Sequence, residues 1–245
     1  MGTLRAPRLD ARLSAAMRLA EPCAVCADIG ADHGRLSAAL LWSGAAEHVL
    51  AADISASALE KARRRLHALR LDSRVTYAVA DGLNALDALP GRRVDTVLIL
   101  GMGGDTVAGI LRRGRDRLEG AALVLGAQTS LPSLRRTLCE IGYRLGREEL
   151  VQDGGRWYVL MKAFPARGSE PPYTEEEELL GPILLRERPP LWLPFLNRRK
   201  GLLENGIRAM ERAALAKDVR RLAQFRRELD YVNGALARGE GGAPS

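Results

Sequence analysis

The sequence predicts an α/β fold: a mostly parallel sheet whose last strand runs antiparallel, followed by a pair of antiparallel, coiled-coil-like helices. Three observations predict it. Short apolar runs of strand length recur through the first 165 residues, and each of the first four ends at an acid, a glycine or both. Two later runs are separated only by Gln152-Asp153-Gly154-Gly155, a hairpin turn that forces the final pair to be antiparallel. From Leu191 onward leucines and other apolar residues fall at near-heptad spacing.

Taken in order, residues 8–19 read as a short amphipathic helix with Leu9, Leu13, Ala16 and Met17 on one side. A strand over 24–30 runs into Asp28-Ile29-Gly30-Ala31-Asp32-His33-Gly34, and a helix over 35–43 follows. Such a strand–loop–helix binds nucleotide cofactors, because glycine lets the backbone pass close to a ligand. An acid ahead of the first glycine would repel a pyrophosphate but welcomes a cationic amino-acid moiety, which fits S-adenosylmethionine. The second strand, over 48–53, ends in Asp53, where a carboxylate reaches ribose hydroxyls or caps the next helix over 55–69. A third strand over 74–79 ends at Asp81-Gly82, and a fourth over 94–100 opens into Gly101-Met102-Gly103-Gly104-Asp105. In an open α/β sheet these turns converge on one crevice. A strand over 121–126, a helix over 131–141 and strands over 143–151 and 156–164 complete about seven strands.

Residues 166–190 read as a connector, with prolines at 171, 172, 182, 189 and 190 around the run Glu175 to Glu178. Residues 191–238 read as a basic helical hairpin. Its seam is expected on Leu196, Leu203, Ile207, Met210 and Ala214, then on Leu215, Val219, Leu222, Leu229 and Leu236, with the turn near Ala216-Lys217-Asp218. The tail 239–245 is expected to be disordered.

Composition narrows the function. Of 245 residues 47% are apolar, enough for a sizeable core, and no apolar run approaches the roughly 18 residues of a membrane helix. The basic start, Met1 to Arg18, has no apolar signal core, and an odd number of cysteines, three, fits a reducing compartment, so a cytoplasmic protein is expected. The net charge of +7 is concentrated: residues 198–238 hold eleven Lys/Arg against five Asp/Glu. Such a segment suits a polyanion, RNA being the commonest partner, or is a solvated arginine-rich face. Cys23 and Cys26 with a lone Cys139 do not make a four-ligand zinc site, so no metal is expected. No Ser-His-Asp order, H-E-x-x-H or P-loop is present. The aromatic [DN]-P-P-[FYW] motif used on exocyclic amines is replaced by Gly101-Met102-Gly103-Gly104, which disfavours amine chemistry.

The sequence resembles the bacterial tRNA (adenine-22-N1)-methyltransferases, the TrmK-like proteins. The resemblance is carried by Asp28-Ile29-Gly30-Ala31-Asp32-His33, Asp81-Gly82-Leu83, Gly101-Met102-Gly103-Gly104, Asp153-Gly154-Gly155-Arg156-Trp157-Tyr158 and Leu180-Gly181-Pro182. It implies a Rossmann-like class I methyltransferase domain over 1–165 using S-adenosylmethionine, and tRNA held by the basic C-terminal helices. Cofactor binding is then expected at Asp28, Gly30, Asp53, Ile54, Asp81, Gly82 and Gly101. Asp28 and Gly30 would meet the methionine end, Asp53 the ribose and Asp81 the adenine; Asp32, His33, Met102 and Gly103 would line the methyl-transfer point. Two alternatives stay open: the same fold with another acceptor, RNA or small molecule, and a non-catalytic RNA-binding module. Two departures are expected at the crevice rim: Gly126-Ala127 where the family has Gln-Pro, and Gly34-Arg35-Leu36-Ser37 where it commonly has Ala-Tyr-Leu-Pro.

Overall fold

Aliphatic runs with few polar interruptions can be covered on both faces, and seven of them form the sheet of the first unit. They are β1 (Cys23–Ile29), β2 (Ala46–Asp53), β3 (Val75–Val79), β4 (Thr96–Met102), β5 (Ala122–Ala127), β6 (Tyr143–Asp153) and β7 (Arg156–Pro165). The computed structural model describes residues 5–213 and 219–240, and the chain divides between Pro172 and Tyr173. Across the sheet the order is β3-β2-β1-β4-β5-β7-β6. Strands β1 to β5 pair in parallel, whereas β7 is antiparallel to both β5 and β6. The last strand is thus inserted between β5 and β6, and β6 forms the edge. Strand order reverses between β1 and β4, so the crevice at their carboxyl ends is the switch point where α/β sheets bind ligands.

Five longer helices flank this sheet: α1 (Ala11–Ala20), α2 (Arg35–Ser43), α3 (Ala56–Ala68), α4 (Gly104–Gly114) and α5 (Leu131–Glu140). The expected helix over 8–19 starts only at Ala11, because the Asp10 carboxylate accepts the Leu13 N–H at 2.8 Å and caps it. Ser55 caps α3 likewise, through the Ala58 N–H at 3.3 Å. Leu13 and Leu19 of α1, Leu40 of α2 and Leu66 of α3 join Leu98, Val124 and Leu160 of the sheet in one core. Right-handed crossovers leading away from the switch point place α4 and α5 on the other face, packed on each other. There Arg135 of α5 is fully buried and donates twice to Glu148 Oε1 of β6, at 2.9 and 2.7 Å.

The second unit holds α6 (Glu175–Leu180), α7 (Pro182–Glu187), α8 (Trp192–Ala213) and α9 (Val219–Glu240). The reading of 166–190 as a connector is corrected here. Thr174 and Glu177 form a reciprocal capping box that starts α6, and Leu179, Leu180, Ile183 and Leu184 are buried. Four consecutive glutamates suit the positive end of a helix, which proline counting did not register. Helices α8 and α9 are antiparallel: Gly206 lies under the Phe225 ring, and Leu193 faces Gly239. Leu196, Leu203, Ile207 and Leu236 are buried as expected, but Val219 is 66% exposed. On α9 the expected Leu222 and Leu229 are half-buried, and Phe225, Val232 and Ala235 join Leu236 in the seam, with Glu228 paired to Arg199. Ala214, Leu215, the turn at 216–218 and the tail from 241 lie outside the described residues. No helix among the described residues is long and apolar enough to cross a membrane.

Candidate functional site

Asp28, the last residue but one of β1, sits among apolar neighbours and is only 4% exposed. Its carboxylate accepts the Ser37 hydroxyl at 2.6 Å and the Ser37 backbone N–H as well. Burial pushes its pKa up to about 6, Ser37 pulls against that shift, and the charge of Asp53 adds to it. A proline at position 37, as in the resembling family, could supply neither donor.

Asp53, at the end of β2, is held differently. Its Oδ2 accepts the Asp32 N–H at 3.0 Å, and its Oδ1 accepts the Ser55 N–H at 2.9 Å. The turn after β1 is stitched to the same strand, since the N–H groups of Gly30 and Ala31 both donate to Ala52 O, at 2.8 and 2.9 Å. Asp32 itself is exposed, with a left-handed φ of 48°, and its carboxylate lies 3.6 Å from His33 Nε2. The His33 carbonyl accepts Arg65 Nε at 2.9 Å, which ties the turn to α3.

The turn after β4 meets this one. Gly30 has φ +78°, and a Cβ there would strike the Met102 methyl. Gly101, also at φ +78°, lies where the β4–β5 register shifts between Leu100 and Met102, a bulge that brings Met102 toward the first turn. Gly104 donates its N–H to Thr129 O at 2.9 Å, so α4 starts against the loop after β5.

These turns border an open cleft of about 430 Å³. It gathers Asp28, Gly30, Asp32, His33 and Asp53 from the first two strand ends, and Gly101 and Met102 from the fourth. Four expected residues do not line it. Ile54 is 74% exposed just past Asp53, and Gly103 caps α4 outside the lining. Asp81 and Gly82 line a separate pocket of about 370 Å³ with Ile110 and Arg113, where Arg113 lies 3.5 Å from the Asp81 carboxylate. The strand itself is long enough, since Val79 at the end of β3 lies opposite Asp53; the Asp81 carboxylate turns toward Arg113 of α4, beside the cleft and not into it.

Reading motifs one at a time missed the facing wall: Arg12 of α1, Gln128, and Arg156 and Tyr158 of β7. The signal was available, because residues two apart on a strand share a face. The Arg12 guanidinium lies 5.6 Å from the centre of the Tyr158 ring. Gly126 and Ala127 are corrected as well. They are buried inside β5, where a Cβ on Gly126 would meet Leu100 and Leu160, and only Gln128 reaches the rim. Among the described residues no cluster of three His, Cys, Asp or Glu could hold a metal, and the three cysteines are free thiols.

A sheet with a reversed strand order, two acids at adjacent strand ends and a glycine-built floor are features of a nucleotide-cofactor enzyme. A family model described as "Methyltransferase domain" matches residues 9–161. The chain belongs to the methyltransferase-domain family. This methyltransferase is also similar to the tRNA (adenine(22)-N(1))-methyltransferase of Bacillus subtilis (strain 168), with 27% identity over 227 residues, covering 91% of this chain and 92% of that protein. Among solved structures it is similar to the B. subtilis M1A22 tRNA methyltransferase TrmK, with a TM-score of 0.82, 24% identity, and 94% and 99% of the two chains covered. It is similar too to M. capricolum TrmK in complex with S-adenosyl-homocysteine, with a TM-score of 0.79, 18% identity, and 94% and 98% covered. Both structural likenesses establish the shared fold, including the C-terminal helices.

Proposed function

We propose that this methyltransferase moves the methyl group of S-adenosylmethionine to N1 of an adenine in tRNA, adenine 22 by likeness to the full-length relative. The observation that carries the reading is the acidic cleft at the switch point, met by a relative named for that reaction across nine-tenths of the chain. The cofactor fits the residues present. A buried carboxylate with spare acceptor capacity, Asp28, suits the methionine ammonium, and Asp53, oriented by two backbone donors, suits vicinal ribose hydroxyls. Ile54 offers exposed apolar surface to the adenine, with Asp81 and Gly82 in the adjoining pocket to meet its amine.

The cofactor supplies a methyl group on a positively charged sulfur. Adenine N1 has a free lone pair at neutral pH, so this chain needs no strong base. Its task is alignment and electrostatic support. Gly30, Gly101 and Gly103 keep side chains out of the way; Met102 with Asp32 and His33 borders the transfer point. Because N1 lies on the Watson–Crick edge, the base must be unpaired or turned out to reach the cleft.

Helices α8 and α9 are proposed to hold the tRNA backbone. Arg198, Arg212, Arg220 and Arg221 are exposed, and none has an ion-pair partner among the described residues. Such groups bind phosphate without reading bases.

The test is transfer of labelled methyl groups to unmodified tRNA by the purified protein, with the product nucleoside identified by mass spectrometry. 1-Methyladenosine is expected. Bound cofactor with no labelled tRNA would sink the reading.

A further inference from the structure

The cleft has two walls of opposite chemistry, and only one is used by the cofactor reading above. Asp28, Asp32 and Asp53 gather on the side of β1 and β2; Arg12, Gln128, Arg156 and Tyr158 face the cleft from α1, the loop after β5, and β7. We propose that the β6–β7 hairpin, through Tyr158 and Arg156, seats the acceptor nucleotide: Tyr158 stacks the target base and Arg156 takes a neighbouring phosphate. This rests on the reading of tRNA as the acceptor.

Three observations carry it. The first is position. In-line transfer needs the nucleophile on the side of the methyl group away from sulfur. With the cofactor's ribose and amine on the acidic wall, an acceptor approaches from the opposite wall, across Gly101 and Met102. The second is the state of the arginines. In this unit Arg18, Arg112, Arg117 and Arg135 each hold a carboxylate. Arg156 is exposed at the start of β7 and has no ion-pair partner among the described residues, so its charge is free for an anion. The third is the ring. Tyr158 is half-buried, packs against the core and lines the cleft, and the Arg12 guanidinium lies 5.6 Å from its ring centre, a contact that steadies the ring. A tyrosine held this way is a platform for a base, and stacking tolerates any base, leaving N1 selection to the alignment with the methyl group.

The experiment compares cofactor affinity by calorimetry with steady-state transfer to unmodified tRNA in the full-length protein. Tyr158→Ala is expected to lower kcat/KM for tRNA roughly 5- to 150-fold while cofactor Kd stays within about twofold. Tyr158→Phe should keep nearly all activity, whereas Tyr158→Leu, which preserves apolar packing, should behave like alanine; equal melting temperatures for the phenylalanine and leucine variants remove folding as a cause. Arg156→Glu should raise KM for tRNA and flatten its dependence on salt. An active wild type whose Tyr158 and Arg156 variants are equally active overturns the inference alone. Parallel loss of cofactor affinity in those variants assigns this wall to the cofactor and overturns it too. A wild type that binds cofactor yet labels no tRNA overturns the function and this inference together.

Discussion

On one wall of the cleft the two principal acids are already held, Asp28 by Ser37 and Asp53 by the N–H groups of Asp32 and Ser55, whereas on the other Arg156 projects from a hairpin and makes no ion pair among the described residues. A small ligand of fixed shape rewards groups that cannot move, because little ordering is left to do on binding. A large, flexible anion is better met by long side chains that adjust, with the affinity spread over many weak contacts. The difference teaches that one crevice can serve two partners if its walls differ in rigidity as well as in charge.

The comparison breaks most readily at Asp53. Asp53→Ala removes an acceptor from two backbone donors and from the ribose, and cofactor affinity should fall on the order of 100-fold in calorimetry. Unchanged affinity would mean that the acidic wall is not the cofactor's. Asp28 gives a pH test. Affinity for a cationic ligand should decline as pH falls through about 6, and Asp28→Asn should bind weakly at every pH. The stability of the unliganded protein moves the other way. Because the folded pKa lies above the ordinary 3.8, Asp28 adds stability that is complete below about pH 3.8 and lost as pH rises through about 6. Asp28→Asn should therefore melt higher than wild type at pH 8, by an amount on the order of 3 kcal/mol at most, and lose that advantage near pH 4. Equal melting curves at pH 8 would show that the buried charge costs little.

A smaller effect is expected on the second unit. Reversing Arg220 and Arg221 to glutamate should weaken tRNA binding roughly tenfold at low salt, leaving cofactor affinity as it was; a loss of cofactor binding would count against separate roles. Ser37→Ala should be mildest. It keeps the backbone donor, so the midpoint of the cofactor's pH dependence should move upward without abolishing binding, whereas Ser37→Pro should move it further.

Much of this was legible in the sequence because it depends on local chemistry. An acid closing an apolar strand specifies Asp28, ahead of Gly30, and Asp53, and Gln152 to Gly155 specifies the hairpin that makes β7 antiparallel. What escaped depends on distance in the chain. Arg12 and Tyr158 are 146 positions apart, and only the insertion of β7 beside β5 brings the ring under the guanidinium. Asp81 was placed by motif, yet its carboxylate lies against Arg113 of α4, 32 positions further on, in the adjoining pocket. Glu175 to Glu178, between prolines, reads as part of a connector, but a threonine three residues before Glu177 makes it the start of a helix.

The insertion of β7 also has a consequence for synthesis. Strand β6 leaves the ribosome before the strand that will separate it from β5, so Leu123, Val124 and Leu125 keep an unpaired edge until residue 165 has emerged. An open, aliphatic strand edge is a template for any other extended chain nearby. A polypeptide released before that point would display it permanently, which makes the last ten residues of the sheet the nascent chain's own protection against sticking to its neighbours on the polysome.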